Sequence, residues 1–432
     1  MCDSTDVMTP GVRIRGRLSL PWLLVLALLA TAAPLATDLY LPSFPRIQSE
    51  FAATASGVQL SLTGFFIGMA AGQLLFGALS DRFGRMRPLI VGTIGAIAAS
   101  VLTTFAPTLE VFVGARLMQG ICGAAGVVIA RAIVVDLTKS AQTARTMSLL
   151  VTATGIAPAI APSIGAALQG VLGWRGVMAT LAALFTLMLL SVILVLRETL
   201  PPALRRRHSV LGGFNQLFRV PRYLVYTAIF ATAFATMMAY ISASSFVYQN
   251  VMGFSPEGYG LLFGINALGL VTAGFASSRL AERFGAQRLI TIAVPVLLLC
   301  SVSVLVLAVM PVSRWLLAIP LLPAVASVGF IMGNASALAL GEVRHVSGSG
   351  SALLGATQFV FGAVVAPLVG LAGEYNAVPM AIVMTITATT AAVLTALQHR
   401  LRMANEDGAD ALRSKNVEGD QLPSIPEGQA SS

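Results

Sequence analysis

Residues 77–89 of the chain read GALSDRFGRMRPL, and residues 278–289 read SRLAERFGAQRL. The second stretch repeats the first at an offset of 201 residues, near half the length of the apolar part of the chain. Each copy follows the second long apolar stretch of its half. Two parallel six-helix repeats, with a binding site between them at mid-membrane, are typical of alternating-access transporters. The repeat therefore predicts two similar helical bundles.

Composition indicates a membrane protein. Hydrophobic residue types make up 56% of the 432 residues and charged types only 10%, against roughly a quarter charged in a soluble domain. So few charged side chains exclude a water-soluble globular protein and a disordered chain. Long apolar stretches between short charged clusters favour helices over a membrane β-barrel.

Residue types also argue against several kinds of chemistry. Cys2, Cys122 and Cys300 are far apart, so we expect no metal site and no disulfide framework. Neither Lys139 nor Lys415 follows a glycine, so the phosphate-binding loop of ATP-driven motors is absent. A net charge of +9 is compatible with nucleic-acid binding, but basic loops of a membrane protein explain it better. We expect neither an enzyme nor a protein that uses ATP, nucleic acid or a cofactor.

The apolar stretches predict twelve membrane spans, because a helix needs about 20 apolar residues to cross a bilayer. Six spans lie in an N-terminal bundle, 19–196, and six in a C-terminal bundle, 222–397. A polar loop, 197–221, joins the bundles; the N-terminal tail is 1–18, and the C-terminal tail, 398–432, is predicted to be disordered. The predicted spans are 19–43, 56–79, 88–106, 109–133, 146–170, 174–196, 222–247, 256–278, 288–310, 313–340, 349–371 and 376–397.

Basic residues predict the orientation. Of the 27 lysines and arginines, 22 fall in the tails and in the loops after even-numbered spans, and three fall on the opposite side. Since basic loops stay inside, both tails and the central loop are predicted to be cytoplasmic, in a multi-pass protein of the cell membrane that we expect to be monomeric. A cleaved signal peptide over Leu18–Ala33 is the alternative, although the apolar stretch continues to Leu41.

Three motifs resemble those of the major facilitator superfamily. The 77–87 stretch is similar to its loop 2–3 signature, and Arg116-x-x-Gln119-Gly120 is similar to a motif of its fourth helix. The fifth span contains Gly155, Pro158, Pro162 and Gly165, which resemble the Gly/Pro motif of the drug:proton antiporter branch. Further stretches resemble the Bcr/CflA subfamily, which is associated with bicyclomycin and chloramphenicol resistance: Thr37–Pro42, Gln73–Gly77, Ala130–Leu137, Gly173–Arg175, Glu198–Pro201 and Gly350–Gly355 with Gln358.

The resemblance implies an all-α membrane protein with twelve transmembrane helices in two pseudo-symmetric six-helix bundles, the major facilitator fold. It also implies alternating-access efflux of a small lipophilic drug in exchange for protons. Transport of a small metabolite such as a sugar or purine is the alternative on the same fold, and a membrane protein without transport is a third. Val135, Ala286 and Ser245 depart from the subfamily pattern, and the first two suggest that the N-terminal half carries most of the inner charge network.

Asp38 is the candidate proton-coupling residue, since an acid within hydrocarbon is costly and marks a functional site by default. It is the one intramembrane acid away from predicted helix ends. Asp38 lies about 9 Å and Arg116 about 10 Å from the outer membrane boundary, so the two side chains can lie at the same depth. Gln119, one turn from Arg116, can hold its guanidinium. A nearby cation favours the ionised carboxylate, and desolvation favours the neutral one. A solvated Asp38 and an Arg116 that extends toward solvent remain the alternatives.

The loop after the second span is interpreted as a conformational gate, with Gly77 permitting close helix approach and Asp81 near a helix N-terminus. The family pattern implies that Arg85 pairs with Asp136 at the end of the fourth span. A role in orientation alone is the other interpretation. The candidate gate residues are Gly77, Asp81, Arg82, Gly84, Arg85, Arg87 and Asp136.

The Gly/Pro positions of the fifth span predict a bend and tight packing against the other half, although membrane helices also tolerate such residues for no special reason. Candidate substrate contacts are aromatic, methionine and amide side chains of the spans. Packing against lipid or neighbouring helices is the alternative for the apolar ones, and interhelical hydrogen bonding for the amides. These candidates are Tyr40, Phe65, Phe66, Met69, Tyr240, Phe246, Tyr248, Asn266, Asn334 and Gln358.

Overall fold

The computed structural model describes residues 19–138, 140–202, 205, 217–343 and 347–419. The predicted N-terminal tail 1–18, most of the predicted central loop and residues 420–432 of the predicted C-terminal tail lie outside these described residues. Within the described part the regular structure is helical throughout.

The N-terminal half contains spans 1 to 6. Span 1 is broken, because the chain leaves the α-helix after Asp38 and makes a 3₁₀ turn at Leu41–Ser43. Spans 5 and 6 form one long helical element that is interrupted at Gly173, where φ is 66°. The elements are Leu20–Ala30, Ala32–Asp38 and Phe44–Glu50 for span 1, Ala55–Phe83 for span 2, Met86–Thr104 for span 3, Leu109–Leu137 for span 4 and Ser140–Val195 for spans 5 and 6.

The C-terminal half contains spans 7 to 12. A π-helical turn, Val247–Val251, continues span 7, and a 3₁₀ turn, Arg314–Leu317, precedes span 10. The elements are Pro221–Phe246 for span 7, Pro256–Phe284 for span 8, Ala286–Val309 for span 9, Ala318–Glu342 for span 10, Ser347–Leu368 for span 11 and Val378–Gly419 for span 12. Span 12 thus continues past Gln398, where the sequence predicts the start of a disordered tail.

Ten helices of the described residues are long and apolar enough to cross a membrane, and an eleventh results when Leu20–Ala30 and Ala32–Glu50 count as one span bent by 42°. That count takes spans 5 and 6 together as Thr152–Val195. The left-handed backbone at Gly173 divides them, and each part reaches the roughly 20 residues that a bilayer needs. The predicted fold class, twelve membrane helices in two bundles, is therefore confirmed.

The sequence repeat is also a structural repeat. In both copies the helix ends before a glycine with positive φ, Gly84 at 89° and Gly285 at 81°. Since only glycine adopts this region without strain, the shared glycine allows the sharp turn between the second and third helices of each half. Both halves therefore enter the third helix through the same backbone turn.

Two pairs of spans join the halves. Span 2 packs along span 11, and span 5 packs along span 8. Small residues allow the second contact, because a Cβ at Gly260 would lie 2.9 Å from the Ser163 Cα, and one at Gly264 would lie 2.8 Å from the Ala159 carbonyl oxygen. The candidate site lies between these two seams.

Candidate functional site

A cavity of about 150 Å³ lies between the halves. Its wall is mostly aromatic and aliphatic, and its polar side chains are Thr37, Asp38 and Tyr240. Asp38 is thus the one charged group among the lining residues. The lining consists of Ala33, Pro34, Thr37, Asp38, Phe66, Pro158, Phe234, Met237, Met238, Tyr240, Ile241, Phe263, Ala267, Leu270 and Phe359.

Asp38 is the last residue of its helical segment and is 3% exposed. The Thr37 hydroxyl donates a hydrogen bond of 3.0 Å to its carboxylate. In the described part of the chain no Lys, Arg or His side chain lies within ion-pair distance of this carboxylate. A buried acid without a cation can exchange a proton as its surroundings change, because its ionised form depends strongly on access to water.

Arg116 is fully buried between two aromatic rings. Its guanidinium carbon lies 4.4 Å from the centre of the Tyr40 ring and 4.5 Å from that of Phe65. It donates to Gln119, whose amide in turn donates to Ser100 over 2.6 Å. Its Nε and Nη2 atoms have no hydrogen-bond partner among the described residues. The arginine is therefore held by aromatic faces, which stabilise cations through their ring quadrupole.

The predicted grouping of Asp38, Arg116 and Gln119 is thus present in part. Gln119 contacts the arginine as expected. Asp38 and Arg116 do not form an ion pair, and Tyr40, two residues after Asp38, faces the arginine instead. The Tyr40 hydroxyl shares a hydrogen bond of 2.9 Å with Ser61 of span 2. The Tyr40 ring therefore contacts the Arg116 guanidinium at the place where sequence reasoning predicted the Asp38 carboxylate.

Arg85 is the centre of the gate cluster at the loop 2–3 face. It binds Asp136 through two nitrogens, at 2.8 and 3.3 Å, and binds Asp81 at 2.6 Å. Burial alone would lower the pKa of Arg85, but its hydrogen bonds and charge interactions with Asp136 and Asp81 raise that pKa above the usual arginine range. The Arg85–Asp136 contact that the resemblance implies is therefore present, and it fastens the loop to the end of span 4.

Glu198, after span 6, completes this cluster and was not among the predicted gate residues. Its carboxylate accepts from the backbone N–H groups of Arg85 and Met86, at 2.9 and 3.3 Å, so it caps the start of span 3. This is the position that sequence reasoning gave to Asp81, which pairs with Arg85 instead. Side chains of Glu198 and Arg205 also occupy the space that a Cβ at Gly84 would need.

The remaining gate residues differ in their contacts. Arg82 lies over the neighbouring Phe83 ring, 5.2 Å from its centre, and Arg87 is exposed. Gly77 faces Val128 of span 4, whose side chain would lie 3.7 Å from a Cβ. These three residues stand outside the hydrogen-bonded centre around Arg85.

Among the described residues, the repeat in the C-terminal half shows no ionic cluster like that around Arg85. No ion pair of its copy, including Glu282 and Arg283, occurs within the described residues. An uncharged link joins spans 9, 12 and 7 there: Gln287 donates to Gln398 over 2.8 Å, and Gln398 donates to Tyr226. The ion pairs that the described residues form at this face therefore involve the N-terminal half and the start of the central loop, as Val135 and Ala286 suggest.

The Gly/Pro residues of span 5 contact both neighbours of the cavity. Pro158 lines the cavity, and Pro162 lies against Gly260 of span 8. A Cβ at Gly155 would lie 3.2 Å from Val271 of span 8. At Gly165 a Cβ would overlap the carbonyl oxygen of Leu39, the residue after Asp38. Span 5 therefore touches the acid-bearing segment on one side and the C-terminal half on the other.

Of the ten predicted substrate contacts, Phe66 lines the cavity from the N-terminal half and Tyr240 lines it from the C-terminal half. The Tyr240 hydroxyl accepts from Asn266, which also donates to Tyr248, both at 2.9 Å. Asn334 joins spans 8 and 10 by a 2.7 Å bond to Ser277, as expected of an interhelical amide.

The other candidates lie away from the lining. Tyr40 and Phe65 enclose Arg116, and Phe246 packs against Phe44 with ring centres 5.9 Å apart. Met69 is buried and Gln358 is partly buried, both outside the lining residues.

Sequence reasoning missed most of the apolar wall. Phe234, Met238 and Ile241 recur at helical spacing on span 7, a signal that was available but is shared by ordinary helix packing. Phe359 lies next to the predicted Gln358 and packs on Phe66 and Phe234, with ring centres 5.8 and 5.9 Å apart. Aromatic rings of both halves thus form part of the cavity wall.

The model of the Major Facilitator Superfamily matches residues 26–401. The chain belongs to this superfamily. It is 34% identical to an uncharacterised MFS-type transporter, YdgK of Bacillus subtilis, over 86% of this chain and 93% of that protein. It is 30% identical to the bicyclomycin resistance protein homologue of Haemophilus influenzae over 84% and 92% of the two chains, which confirms the resemblance to the Bcr/CflA branch.

Solved structures of the superfamily share the fold. A bacterial homologue of the human lysosomal transporter Spinster aligns with a TM-score of 0.69 at 18% identity, over 88% of this chain and 98% of that one. The superfamily consists of transporters, so this chain is a multi-pass transport protein and not an enzyme.

Proposed function

We propose that this transporter exports a small lipophilic drug from the cytoplasm in exchange for protons, by alternating access in the cell membrane with both termini cytoplasmic. The observation that carries the proposal is the single carboxylate, Asp38, in the wall of an otherwise apolar and aromatic cavity between the halves. Relatives named for bicyclomycin, chloramphenicol and multidrug resistance support a drug as the substrate.

Asp38 carries the coupling in this proposal. A protonated carboxyl fits a closed, dry cavity, whereas the ionised form needs water or a polar or cationic group of the drug. Drug and proton then alternate at one site, so that each half-cycle moves one of them. One pH unit supplies about 1.4 kcal/mol per proton, and 100 mV supplies about 2.3 kcal/mol per charge.

In this proposal the aromatic side chains and Arg116 contribute to drug binding and to the local potential, but they do not themselves gain or lose the coupled proton. Aromatic side chains of both halves offer flat apolar surface to a drug, which suits rings and lipophilic cations. Arg116, held between Tyr40 and Phe65, adds positive potential beside the segment that bears Asp38. Movement of span 1 relative to span 4 would change the potential at Asp38 and so couple helix movement to the protonation of its carboxylate.

Substitution of Asp38 by Asn tests the proposal in liposomes that contain the purified protein. Asp38→Asn removes the titrating group with almost no change of volume, so drug efflux driven by a pH gradient is expected to fall to background. Drug–drug counterflow should persist, because it needs the cavity and not the proton. The elution profile in gel filtration serves as the folding control. Efflux that stays coupled to pH in Asp38→Asn would contradict the assignment.

The substrate class is tested by a panel of amphenicols, bicyclomycin and lipophilic cations, with a sugar and a purine as metabolites. We expect export of at least one drug and none of the metabolites, because the lining offers only three polar side chains for the many hydroxyl groups of a sugar. Export of the sugar or purine alone would assign the protein to metabolite transport.

A further inference from the structure

A proline leaves one carbonyl of span 11 without a partner in its own helix. Pro367 lies inside this helix and has no N–H group, so the carbonyl of Ala363, four residues earlier, receives no intrahelical hydrogen bond. The Thr63 hydroxyl of span 2 donates to this oxygen over 2.8 Å. A side chain of the N-terminal half thus completes the backbone of the C-terminal half.

The next turn of span 11 shows a second bond of this kind. The carbonyl of Pro367 belongs to the last turn of a helix that ends at Leu368, where carbonyls lack intrahelical donors. Ser56, seven residues before Thr63 on span 2, donates to it over 2.7 Å. Close approach is possible because Gly370 has no side chain, since a Cβ there would lie 2.7 Å from the Ser56 nitrogen.

The position of these bonds matters for transport. Thr63 lies about 12 Å along span 2 from its start at Ala55, on the loop 1–2 side of the cavity. Opening of this face would separate span 2 from span 11 and would break both bonds. Water that enters can then bond to the Ala363 carbonyl, so the carbonyl is paired in the open and the closed state.

We propose that Thr63, Ala363 and Pro367 form a clasp that sets the equilibrium between the closed and the open state of the loop 1–2 face. Pro367 leaves the Ala363 carbonyl without an intrahelical donor. The Thr63 hydroxyl bonds to that carbonyl only when the face is closed. This inference rests on the proposed function only in requiring an alternating cycle, and it is independent of the drug and of proton coupling.

Loss of the hydroxyl tests the clasp directly. Spin labels at Phe105→Cys and Tyr375→Cys, two exposed sites on the loop 1–2 face of opposite halves, report its opening in a background without Cys2, Cys122 and Cys300. Thr63→Val keeps the side-chain shape but leaves the Ala363 carbonyl unpaired in the closed state alone. We expect the ratio of open to closed molecules to rise about tenfold, as for an unpaired buried acceptor.

The proline provides the decisive second arm. Pro367→Ala restores an N–H group that can bond to the Ala363 carbonyl, so Thr63→Val in that background should change the ratio less than about twofold. An equal shift in both backgrounds, or no shift with Pro367 present, would overturn the proposal. Thr63→Ser should behave as the parent protein does.

A control variant and a folding measurement distinguish loss of the clasp from misfolding and from loss of drug efflux. Thr390→Val removes an exposed hydroxyl that bonds only within its own helix, to Ile386, and should leave the distances unchanged. A thermal unfolding curve shows whether each variant is folded. Since label distances need no drug, a transporter without drug efflux can still show the clasp, and an active antiporter without the Thr63 effect would refute only the clasp.

Discussion

At the scale of single residues, Gly165 shows how one missing side chain positions the site. A Cβ at this residue would overlap the carbonyl oxygen of Leu39, so the backbones of spans 5 and 1 are in direct contact beside Asp38. The contact lies where span 1 leaves the α-helix, after Asp38. The glycine therefore fixes the depth and direction of the segment that bears the carboxylate.

Gly165→Ala is expected to separate spans 1 and 5 and to destabilise the protein by roughly 1–3 kcal/mol, because an overpacked backbone contact has no flexible side chain that can yield. Thermal unfolding in detergent measures the loss. Gly170→Ala, on the same helix with no atom within 4 Å of the new Cβ, is the matched control and should be nearly neutral. Equal stability of the two variants would show that the close approach is not needed.

At the scale of elements, the loop between spans 2 and 3 joins four spans of one half. Arg85 bonds to Asp136 of span 4 and to Asp81 of span 2, and Glu198 after span 6 holds the start of span 3. Thr199 also donates to Asp136, over 3.0 Å. The cluster therefore makes the loop 2–3 end of the N-terminal bundle a rigid unit.

The repeat allows a matched comparison of charges. Asp136→Asn removes one charge of a partly buried, doubly hydrogen-bonded pair and should cost about 1–3 kcal/mol of stability. Glu282→Gln, in the C-terminal copy, removes a charge that has no ion-pair partner among the described residues and should cost under about 0.5 kcal/mol. Denaturant unfolding of both variants measures the difference. Comparable losses would contradict the assignment of the network to the N-terminal half.

At the scale of the whole molecule, the two halves are hydrogen-bonded on one side of the cavity. Within the part of the chain that the structure describes, the bonds between halves involve Gln48 with Glu374, Ser56 with Pro367, Gln59 with Ser242, Thr63 with Ala363 and Gln249 with Pro42. All lie between the loop 1–2 face and the middle of the spans, whereas the Arg85 cluster stays within its own half. The structure therefore has its loop 1–2 face closed.

A cross-link on this face should stop the transport cycle. With a reducible bifunctional thiol reagent, Gln48→Cys with Glu374→Cys in the cysteine-free background is expected to lose at least nine-tenths of drug efflux and to regain it on reduction. Glu50→Cys with Arg175→Cys joins two contacting positions within the N-terminal half and should leave efflux largely intact. Efflux that survives the first cross-link would exclude opening of this face from the cycle.

The sequence by itself determined the membrane class, the twelve spans, the repeat and the family. These follow from local properties: runs of apolar residues, glycine turns and motif spacing are written along the chain and need no partner to be recognised. The single acid of span 1 and the pairing of Arg85 with Asp136 were also within reach, because an intramembrane charge is rare and the motif is short.

Tertiary structure alone decided which side chains share the cavity and which bonds cross between the halves. Helical periodicity cannot distinguish a face that lines a cavity from one that meets lipid or another helix, so Phe359 and Met238 were missed, and Tyr40 and Phe65 were assigned to substrate although they enclose Arg116. The Thr63 bond to Ala363 joins residues 300 positions apart, and it exists because packing brings a hydroxyl to the one carbonyl that Pro367 leaves free.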